Sequence, residues 1–243
     1  MRKKSLALRR RARTCVPRGS ISGHHVRAVS QVVGLPPATL PERKLAAIMA
    51  ADVVEYSRLM HENEEAALAT LSGHRAIIDD LIAVWRGKLT GSAGDSVLAE
   101  FASVIDAVNC GVAIQQAIAV ANSALVTGRR MELRIGINVG DIMVQDGDVF
   151  GDGVNVAARL ESLAQPGGIC VTRAVRDHVR DRVEYEFDDL GEQRVKNIAR
   201  PLRVFRLVFD PNVPPAQTLT SISSPGRTSA SGAVGTDAIE LSF

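Results

Sequence analysis

The stretch KLAAIMAADVV (44–54) decides the fold, because it is an apolar run of strand length that carries one acidic residue, Asp52. Its β-branched end predicts a buried strand. Apolar residues then recur at helical spacing over 64–85 and over 103–124, which predicts two long helices. Between these helices, KLTGSAGDSVLAEF (88–101) has a glycine-containing turn between two short apolar runs, which predicts a hairpin.

Further strands and helices are predicted in the rest of the chain. Ser103 is expected to cap the second helix, with Asp106 three residues later in the manner of a capping box. MELRIGINVGDIMV (131–144) alternates and is β-branched, so it predicts a strand with a bend at Gly140. Beyond it we predict a helix over 153–164, a strand over 168–172, a brief helix over 173–179 and strands over 185–190 and 202–209. The order strand, helix, strand, strand, helix, strand predicts an α+β fold with a ferredoxin-like βαββαβ core, to which the later elements are additions.

Composition separates one domain from two flanking segments. Residues 1–41 hold nine Lys and Arg and no acidic residue, and residues 210–243 are rich in Pro, Ser, Thr and Gly. Neither segment can bury enough apolar surface to offset the entropy of ordering, so we predict two disordered flanks and a single domain over 42–209. From residue 42 onward 20 basic residues stand against 27 acidic ones, which argues against nucleic-acid binding by the domain.

Cysteine usage and hydropathy bear on the cellular setting. Cys15, Cys110 and Cys170 fit no zinc-binding spacing, and three cysteines cannot all pair within one chain. Cys110 and Cys170 lie in apolar stretches, so we expect buried free thiols and a reducing, cytoplasmic setting. No run of about 18 apolar residues is visible, so no membrane insertion is expected.

Two aspartates are candidates for binding a cation. Asp52 closes the first strand, where a buried carboxylate is costly unless it is paired, although a strand-end Asp facing solvent is the ordinary alternative. Asp95 lies in the turn of the hairpin, where Asp is common for reasons of turn geometry alone. If the two strands are neighbours, both carboxylates meet at one end of the sheet. Hard oxygen ligands of this kind suit Mg²⁺ or Mn²⁺ bound to a triphosphate.

A second constellation lies on the predicted helix 153–164. Asn155 and Arg159 are four residues apart and so share one helix face, while the apolar residues of the segment lie on other faces. An Arg with an Asn one turn away suits a developing phosphate charge and a ribose oxygen. An exposed Asn–Arg pair without function is the alternative interpretation.

Five stretches taken together resemble the class III adenylate and guanylate cyclase family. They are IMAADVVEYSRLM, GSAGDSVLAEF, LRIGINVGDI, DVFGDGVNVAARLE and LGEQRVKNIARPLRVFRL, in that order along the chain. The resemblance implies a class III cyclase fold and a head-to-tail homodimer whose active sites lie at the interface. It also implies conversion of ATP to cyclic AMP and pyrophosphate. One subunit would supply the metal carboxylates and the other the Asn–Arg helix.

The resemblance also implies roles for single residues. Asp52 and Asp95 match the two metal-binding aspartates for two Mg²⁺ or Mn²⁺ ions, and the carbonyl of Val53 would contact one ion. The remaining matches are Asn155 for orienting the ribose, Arg159 for the transition state, Asp148 for the adenine amino group, Lys196 for the triphosphate and Arg134 for the phosphates.

The sequence departs from the family at two positions. Gly91 stands where the adenine-selecting lysine usually lies, and Lys88 is three residues upstream, within reach of the base only if the hairpin is bulged. Guanine selection would usually put an acidic residue at Gly91 and a small residue or Cys at Asp148, so Asp148 favours adenine. Glu55 replaces a common glycine after the first aspartate, and it either points to solvent or weakens ATP binding by repulsion.

Three other hypotheses stay open at this point. The first is a non-catalytic regulatory module of the same fold, although all the charged motif residues are retained. The second is guanylate cyclase activity. The third is nucleic-acid binding by the basic arm, which has no aromatic residue for stacking.

Overall fold

The computed structural model describes residues 42–145, 148–196, 198 and 200–212. The predicted basic arm, which includes Cys15, and nearly all of the predicted tail lie outside these residues. The described strands are β1 (Glu42–Val53), β2 (Lys88–Ala93), β3 (Ser96–Phe101), β4 (Leu133–Gln145), β5 (Asp148–Phe150), β6 (Ile169–Thr172), β7 (Glu186–Gln193) and β8 (Leu202–Val208). The described helices are α1 (Tyr56–Glu62), α2 (Glu64–Val84), α3 (Val104–Ser123), α4 (Asp152–Leu163) and α5 (Arg173–Val179), with a 3₁₀ turn at Thr127–Arg129.

One mixed sheet organises the domain. Its strands follow the order β2-β3-β1-β4-β6-β8-β7, and β5 pairs with β4 outside this path. The first four strands of that order, with α2 and α3, are the predicted ferredoxin-like core. Only β4 and β6 pair in parallel among the described strands; the other pairs are antiparallel.

The central strand β1 is buried on both faces. Ala47, Met49 and Ala51 belong to the main core with α2, α3 and α5. Ala46, Ile48 and Ala50 pack instead with Ile142, Val149 and Ala157 of the α4 side. Because successive strand residues point to opposite faces, an uninterrupted apolar run is what such a strand requires. The prediction of a buried strand is confirmed.

Helix α4 packs directly on the backbone of β4. A Cβ atom added at Gly136 would overlap the carbonyl oxygen of Ala157 and the backbone nitrogen of Glu161. Only glycine permits so close an approach, and the backbone atoms on both sides cannot move aside as a flexible side chain would. The position of α4 relative to the sheet is therefore fixed at this crossing.

Both long helices begin with side-chain caps. Asn63 accepts a hydrogen bond from the N–H of Ala66 at the start of α2, and Ser103 accepts from the N–H of Asp106 at the start of α3. The predicted cap at Ser103 is confirmed. The carboxylate of Asp106 accepts two short hydrogen bonds from Arg86, at 2.8 and 2.9 Å. The second half of the predicted capping box, a bond from the N–H of Ser103 to Asp106, is absent among the described residues.

Two short elements were not predicted. Helix α1 occupies only Tyr56–Glu62, and strand β5 has three residues. Elements this short carry too few residues for a periodic pattern to stand out. The strand β7 also extends to Gln193 past a register irregularity after Asp189, beyond its predicted end at 190.

Helix α3 accounts for the strongest apolar signal of the domain. It is long and apolar enough to cross a membrane by length and composition, although polar residues interrupt its apolar run. In the structure, 12 of its 20 residues are buried, and α3 contributes Ala107, Val108, Ile114 and Ile118 to the main core. Core packing explains its composition. Cys110 on this helix and Cys170 on β6 are buried free thiols, as predicted.

Candidate active site

The fold brings Asp52 and Asp95 together at one end of the sheet. Strands β1 and β3 are antiparallel neighbours, with Ala51 opposite Val97. Asp52 is the next residue along β1, and Asp95 lies in the hairpin turn just before β3, where Gly94 has a φ of 60°. The two strands are therefore neighbours, as the metal hypothesis requires.

The closeness of the two carboxylates changes the pKa of Asp95. Loss of solvent, together with the carboxylate of Asp52 within hydrogen-bonding range, raises the pKa of Asp95 to about 6. The backbone N–H groups of Asp95 and Val53 oppose this shift. Two like charges held this close repel each other unless a proton or a cation lies between them.

Arg134 on β4 supplies a positive charge next to this pair. It lies directly opposite Asp52 in the register of β1 and β4. Its Nη2 donates to Oδ2 of Asp52 at 2.6 Å, and the two side chains keep 28% and 21% of their surface exposed. The Nε of Arg134 is buried without a hydrogen-bond partner among the described residues.

Glu161 on α4 completes the cluster, and the sequence analysis missed it. Its Oε1 lies 3.7 Å from Nη2 of Arg134, and its side chain is only 12% exposed. Burial and the nearby carboxylate of Asp52 raise the pKa of Glu161 to about 7, although Arg134 opposes the shift. The sequence feature that could have identified Glu161 is its position next to the buried Leu160, on the flank of an amphipathic helix.

The cluster suits a cation held jointly with a ligand. Among the described residues, no three or more His, Cys, Asp or Glu side chains are placed to hold an ion by themselves. Two adjacent carboxylates that disfavour each other's charge still fit Mg²⁺ or Mn²⁺, since these ions keep several positions for water or phosphate oxygens. The donors present therefore match an ion that arrives with a triphosphate.

Asn155 and Arg159 lie on a different face of α4. Asn155 is exposed, Arg159 is partly exposed, and Val156, Ala157 and Leu160 are buried against the sheet. Neither Asn155 nor Arg159 makes a side-chain hydrogen bond or ion pair within the described part of the chain. A single chain thus leaves this face of α4 unused.

Asp148 and Lys196 are also exposed. Asp148 begins β5 opposite Gln145, and Lys196 lies in a turn after β7. No hydrogen bond or ion pair joins either residue to Asp52 or Asp95 within the described ranges. The structure therefore gathers Asp52, Asp95 and Arg134 from the predicted set, and it leaves Asn155, Arg159, Asp148 and Lys196 on open surface.

The two departures from the family have structural explanations. The pairing of β2 with β3 shifts register between Leu89 and Gly91, so the hairpin is bulged and the condition for Lys88 is met. Glu55 adopts the left-handed conformation, with φ 52° and ψ 33°, which favours glycine. Its carboxylate pairs with Arg58 at 2.7 Å and is 63% exposed, so it points to α1 and to solvent.

A surface cavity of about 540 Å³ lies elsewhere. It is lined by residues such as Gln115, Asn122, Arg130 and Glu132, and by none of the predicted site residues. Cavity size therefore does not identify the candidate site; the juxtaposed charges do. A site shared between two chains leaves only an open half-site in one of them.

Known proteins are similar to this chain in sequence and in fold. Residues 40–208 match the family described as the adenylate and guanylate cyclase catalytic domain. A putative adenylate cyclase 3 of Rhizobium meliloti is 46% identical over 164 residues, which make up 67% of this chain and 28% of that protein. An adenylate cyclase of Streptomyces coelicolor is 32% identical over 57% of this chain and 35% of its own length. The chain therefore spans about a third of these curated relatives.

Solved structures of cyclases are also similar to this chain in fold. An adenylate/guanylate cyclase/hydrolase from Silicibacter pomeroyi superposes with a TM-score of 0.66 at 46% identity, over 70% of this chain and 100% of that one. The adenylyl cyclase CyaB from P. aeruginosa superposes with a TM-score of 0.63 over 71% of this chain and 97% of its own. The second likeness is at 22% identity and concerns the fold alone.

Proposed function

Because this chain belongs to the adenylate and guanylate cyclase catalytic domain family, we propose that it converts ATP into 3′,5′-cyclic AMP and pyrophosphate as a homodimer. The observation that carries the proposal is the meeting of Asp52 and Asp95 beside Arg134 at the end of the sheet. We place the catalytic domain at residues 42–209, and the matched range 40–208 supports these bounds.

The dimer is proposed because one chain offers two half-sites that face apart. One half-site is the carboxylate pair with Arg134, and the other is the open face of α4 with Asn155 and Arg159. In a two-fold dimer each half-site meets the other half-site of the partner subunit, which gives two equivalent active sites. Both halves are needed because the triphosphate must be held at one end and neutralised at the reacting phosphorus.

The proposed reaction is an in-line displacement at the α-phosphorus of ATP. The ribose 3′-oxygen forms a bond to the α-phosphorus, and the bond from that phosphorus to the bridging oxygen of the β-phosphate breaks. Pyrophosphate leaves with the electron pair of the broken bond, and the 3′-hydroxyl proton passes to solvent. In this chemistry the protein contributes positioning and electrostatic stabilisation.

Asp52, Asp95 and the carbonyl of Val53 would hold two Mg²⁺ or Mn²⁺ ions. Such ions, when bound, lower the pKa of the 3′-hydroxyl and offset the charge of the triphosphate. The carboxylates keep the phosphate end of the nucleotide at the sheet edge, and Arg134 donates to its oxygens from the side. The repulsion between the two aspartates supports this assignment, because a cation would relieve it.

The partner subunit would supply the other groups through the face of α4. Arg159 would neutralise charge that grows on the α-phosphate, and Asn155 would orient the ribose ring. Lys196 would contact the triphosphate. All three side chains are at least partly exposed and so free to meet a second chain.

Adenine rather than guanine is proposed as the base. Asp148 is exposed at the start of β5 and can accept a hydrogen bond from the adenine amino group. The bulge after Leu89 supports a contribution from Lys88, in place of the lysine that Gly91 lacks. Guanylate cyclase activity is the second candidate, since Gly91 by itself offers the base no side chain.

A test of the whole proposal uses the full chain with Mn²⁺ and either ATP or GTP. Cyclic AMP and pyrophosphate should appear together, and ATP should be the better substrate. Asp52→Ala and Arg159→Ala should each be inactive alone, whereas an equimolar mixture should recover about a quarter of the wild-type sites. Failure of the mixture to recover, with both chains folded, would refute the shared site; faster turnover of GTP would refute the choice of base.

The cellular setting is proposed from the thiols. Cys110 and Cys170 are buried and unpaired, and burial raises the pKa of Cys170 to about 11, so both stay protonated and unreactive. Buried reduced cysteines are typical of proteins in a reducing compartment, which supports the cytoplasm.

A further inference from the structure

Helix α4 carries two charged residues that point in nearly opposite directions. Arg159 and Glu161 are two positions apart, and at 3.6 residues per turn this separates their side chains by roughly 160° around the helix axis. The buried residues Val156, Ala157 and Leu160 occupy the arc between them. One flank of α4 therefore presents Arg159 to the surface, and the other presents Glu161 to the interior of its own subunit.

Glu161 is directed at Arg134. The two charged groups approach to 3.7 Å, and the Glu161 side chain is 12% exposed. The close packing of α4 on Gly136 involves the backbone nitrogen of Glu161 itself, so the position of this residue is set by main-chain contact. Arg134 in turn donates to Asp52 at 2.6 Å. Nη2 of Arg134 thus faces two carboxylates, Asp52 from β1 and Glu161 from α4, which lie within hydrogen-bonding range of each other.

We propose that Glu161 is a positioning residue that holds Arg134 in the phosphate-binding half-site of its own subunit. This inference rests on the proposed function and extends it. Helix α4 then serves both active sites of a dimer: Arg159 acts in the partner's site, and Glu161 acts in its own.

The need for a second carboxylate follows from the role of Asp52. A cation at Asp52 competes with Arg134 for the same oxygens, and the guanidinium would lose its main anchor when the site is loaded. Glu161 stays behind Arg134 as a hydrogen-bond acceptor and keeps it beside the triphosphate. Direct ligation by Glu161 is not favoured, because the described acidic side chains do not form a group of three that could hold an ion.

A binding measurement tests this role without turnover. We would titrate the full-length protein, with Mn²⁺ present, with 3′-deoxy-ATP, which keeps the triphosphate and lacks the attacking hydroxyl. Glu161→Gln should weaken binding between about two- and tenfold. The same substitution in an Arg134→Ala background should change the affinity little, because the group that Glu161 positions is gone. An equal loss in both backgrounds would overturn the proposal.

Asp106→Asn is a matched control. Asp106 is also an acid at 12% side-chain exposure that pairs with an arginine, Arg86, but it lies at the start of α3, near the opposite end of β3 from Asp95. It should change thermal stability without changing the affinity for 3′-deoxy-ATP. If Asp106→Asn weakens binding as much as Glu161→Gln does, the effect of Glu161 is merely structural and the proposal fails.

Mixed dimers locate the action of Glu161 in one subunit. In a mixture of Asp52→Ala and Arg159→Ala chains, the one intact site takes its carboxylates from the Arg159→Ala chain. Adding Glu161→Gln to that chain should lower the recovered rate, whereas adding it to the Asp52→Ala chain should not. Loss in the second arrangement would overturn the proposal. Absence of activity in the wild type and in the parent mixture would instead refute the proposed function, and the binding titration would still decide the role of Glu161.

Discussion

The two halves of the candidate site differ in how many of their charged side chains already have a partner within one chain. At the end of the sheet, Asp52 already bonds to Arg134, and Asp95 lies near the carboxylate of Asp52 and the backbone N–H of Val53. On the outer face of α4, Asn155 and Arg159 have no side-chain partner among the described residues. One half is therefore an assembled cluster, and the other is a set of free side chains.

This difference separates binding from catalysis. Under the proposed function, the assembled half, which is set by strand register, would bind a metal-bound triphosphate by itself. The exposed half would add stabilisation of the transition state only when a second chain brings it to the phosphate. Activity should then fall on dilution below the dimer dissociation constant, while part of the nucleotide affinity persists.

The largest expected effect compares one residue from each half. Arg159→Ala should lower kcat by roughly 10²–10³-fold, the scale typical of losing one transition-state donor, and should leave the affinity for 3′-deoxy-ATP nearly unchanged. Asp52→Ala should abolish both turnover and tight Mn²⁺-dependent binding. Steady-state rates and a binding titration on the same preparations measure this. If Arg159→Ala weakens binding as strongly as Asp52→Ala does, the division into two halves is wrong.

A smaller effect concerns the choice of base. A Cβ atom at Gly91 would meet Leu98 at 3.5 Å, which is ordinary contact, so Gly91→Lys should fold without strain. It should raise the ratio of kcat/KM for ATP over GTP by about tenfold, equivalent to one charged hydrogen bond. Lys88→Met is the companion variant: a fall in the same ratio would show that Lys88 reaches the base through the bulge. An unchanged ratio in Gly91→Lys would contradict a family-like base contact here.

The repulsion in the assembled half should be visible as a dependence of stability on pH. The pKa of Asp95 is about 6 in the folded protein against 3.8 in the reference state. The folded state therefore binds the proton more tightly, and stability decreases as pH rises from about 4 to about 6. With EDTA present at pH 7, Asp95→Asn should raise the free energy of unfolding by about 1 kcal/mol after allowance for solvent screening, with a smaller gain at pH 5.

Urea unfolding at the two pH values measures this difference. Glu161→Gln is a second variant for the same measurement. Because the pKa of Glu161 is about 7, the decrease in protein stability that this residue causes continues to a higher pH than the decrease caused by Asp95. If Asp95→Asn changes the free energy of unfolding equally at pH 5 and pH 7, with EDTA present, the raised pKa of Asp95 is contradicted.

The sequence predicted the parts of the site that depend on pattern and missed those that depend on packing. An unbroken apolar run identified β1, and a glycine turn identified the hairpin, so the meeting of Asp52 and Asp95 depended only on these strands being neighbours, which the pairing of β1 with β3 confirms. Glu161 was missed because its role depends on how closely α4 approaches Gly136, which no periodicity reveals. The bulge after Leu89 could be named from the sequence only as the condition under which Lys88 reaches the base. Whether the hairpin is bulged depends on the register of β2 and β3, which the sequence does not show.

The smallest effect concerns Glu55, at the entrance to the assembled half. Its left-handed conformation costs a non-glycine residue about 1 kcal/mol, while its exposed pair with Arg58 contributes little because solvent screens it. Glu55→Gly should therefore raise the free energy of unfolding by about 0.5 kcal/mol and leave the KM for ATP nearly unchanged, because the carboxylate points to α1. Arg58→Ala removes the ion pair but keeps the strained backbone, and it should be slightly destabilising. A marked fall in KM for Glu55→Gly would mean that the carboxylate faces the triphosphate after all, and the assembled half would then include a repulsive group.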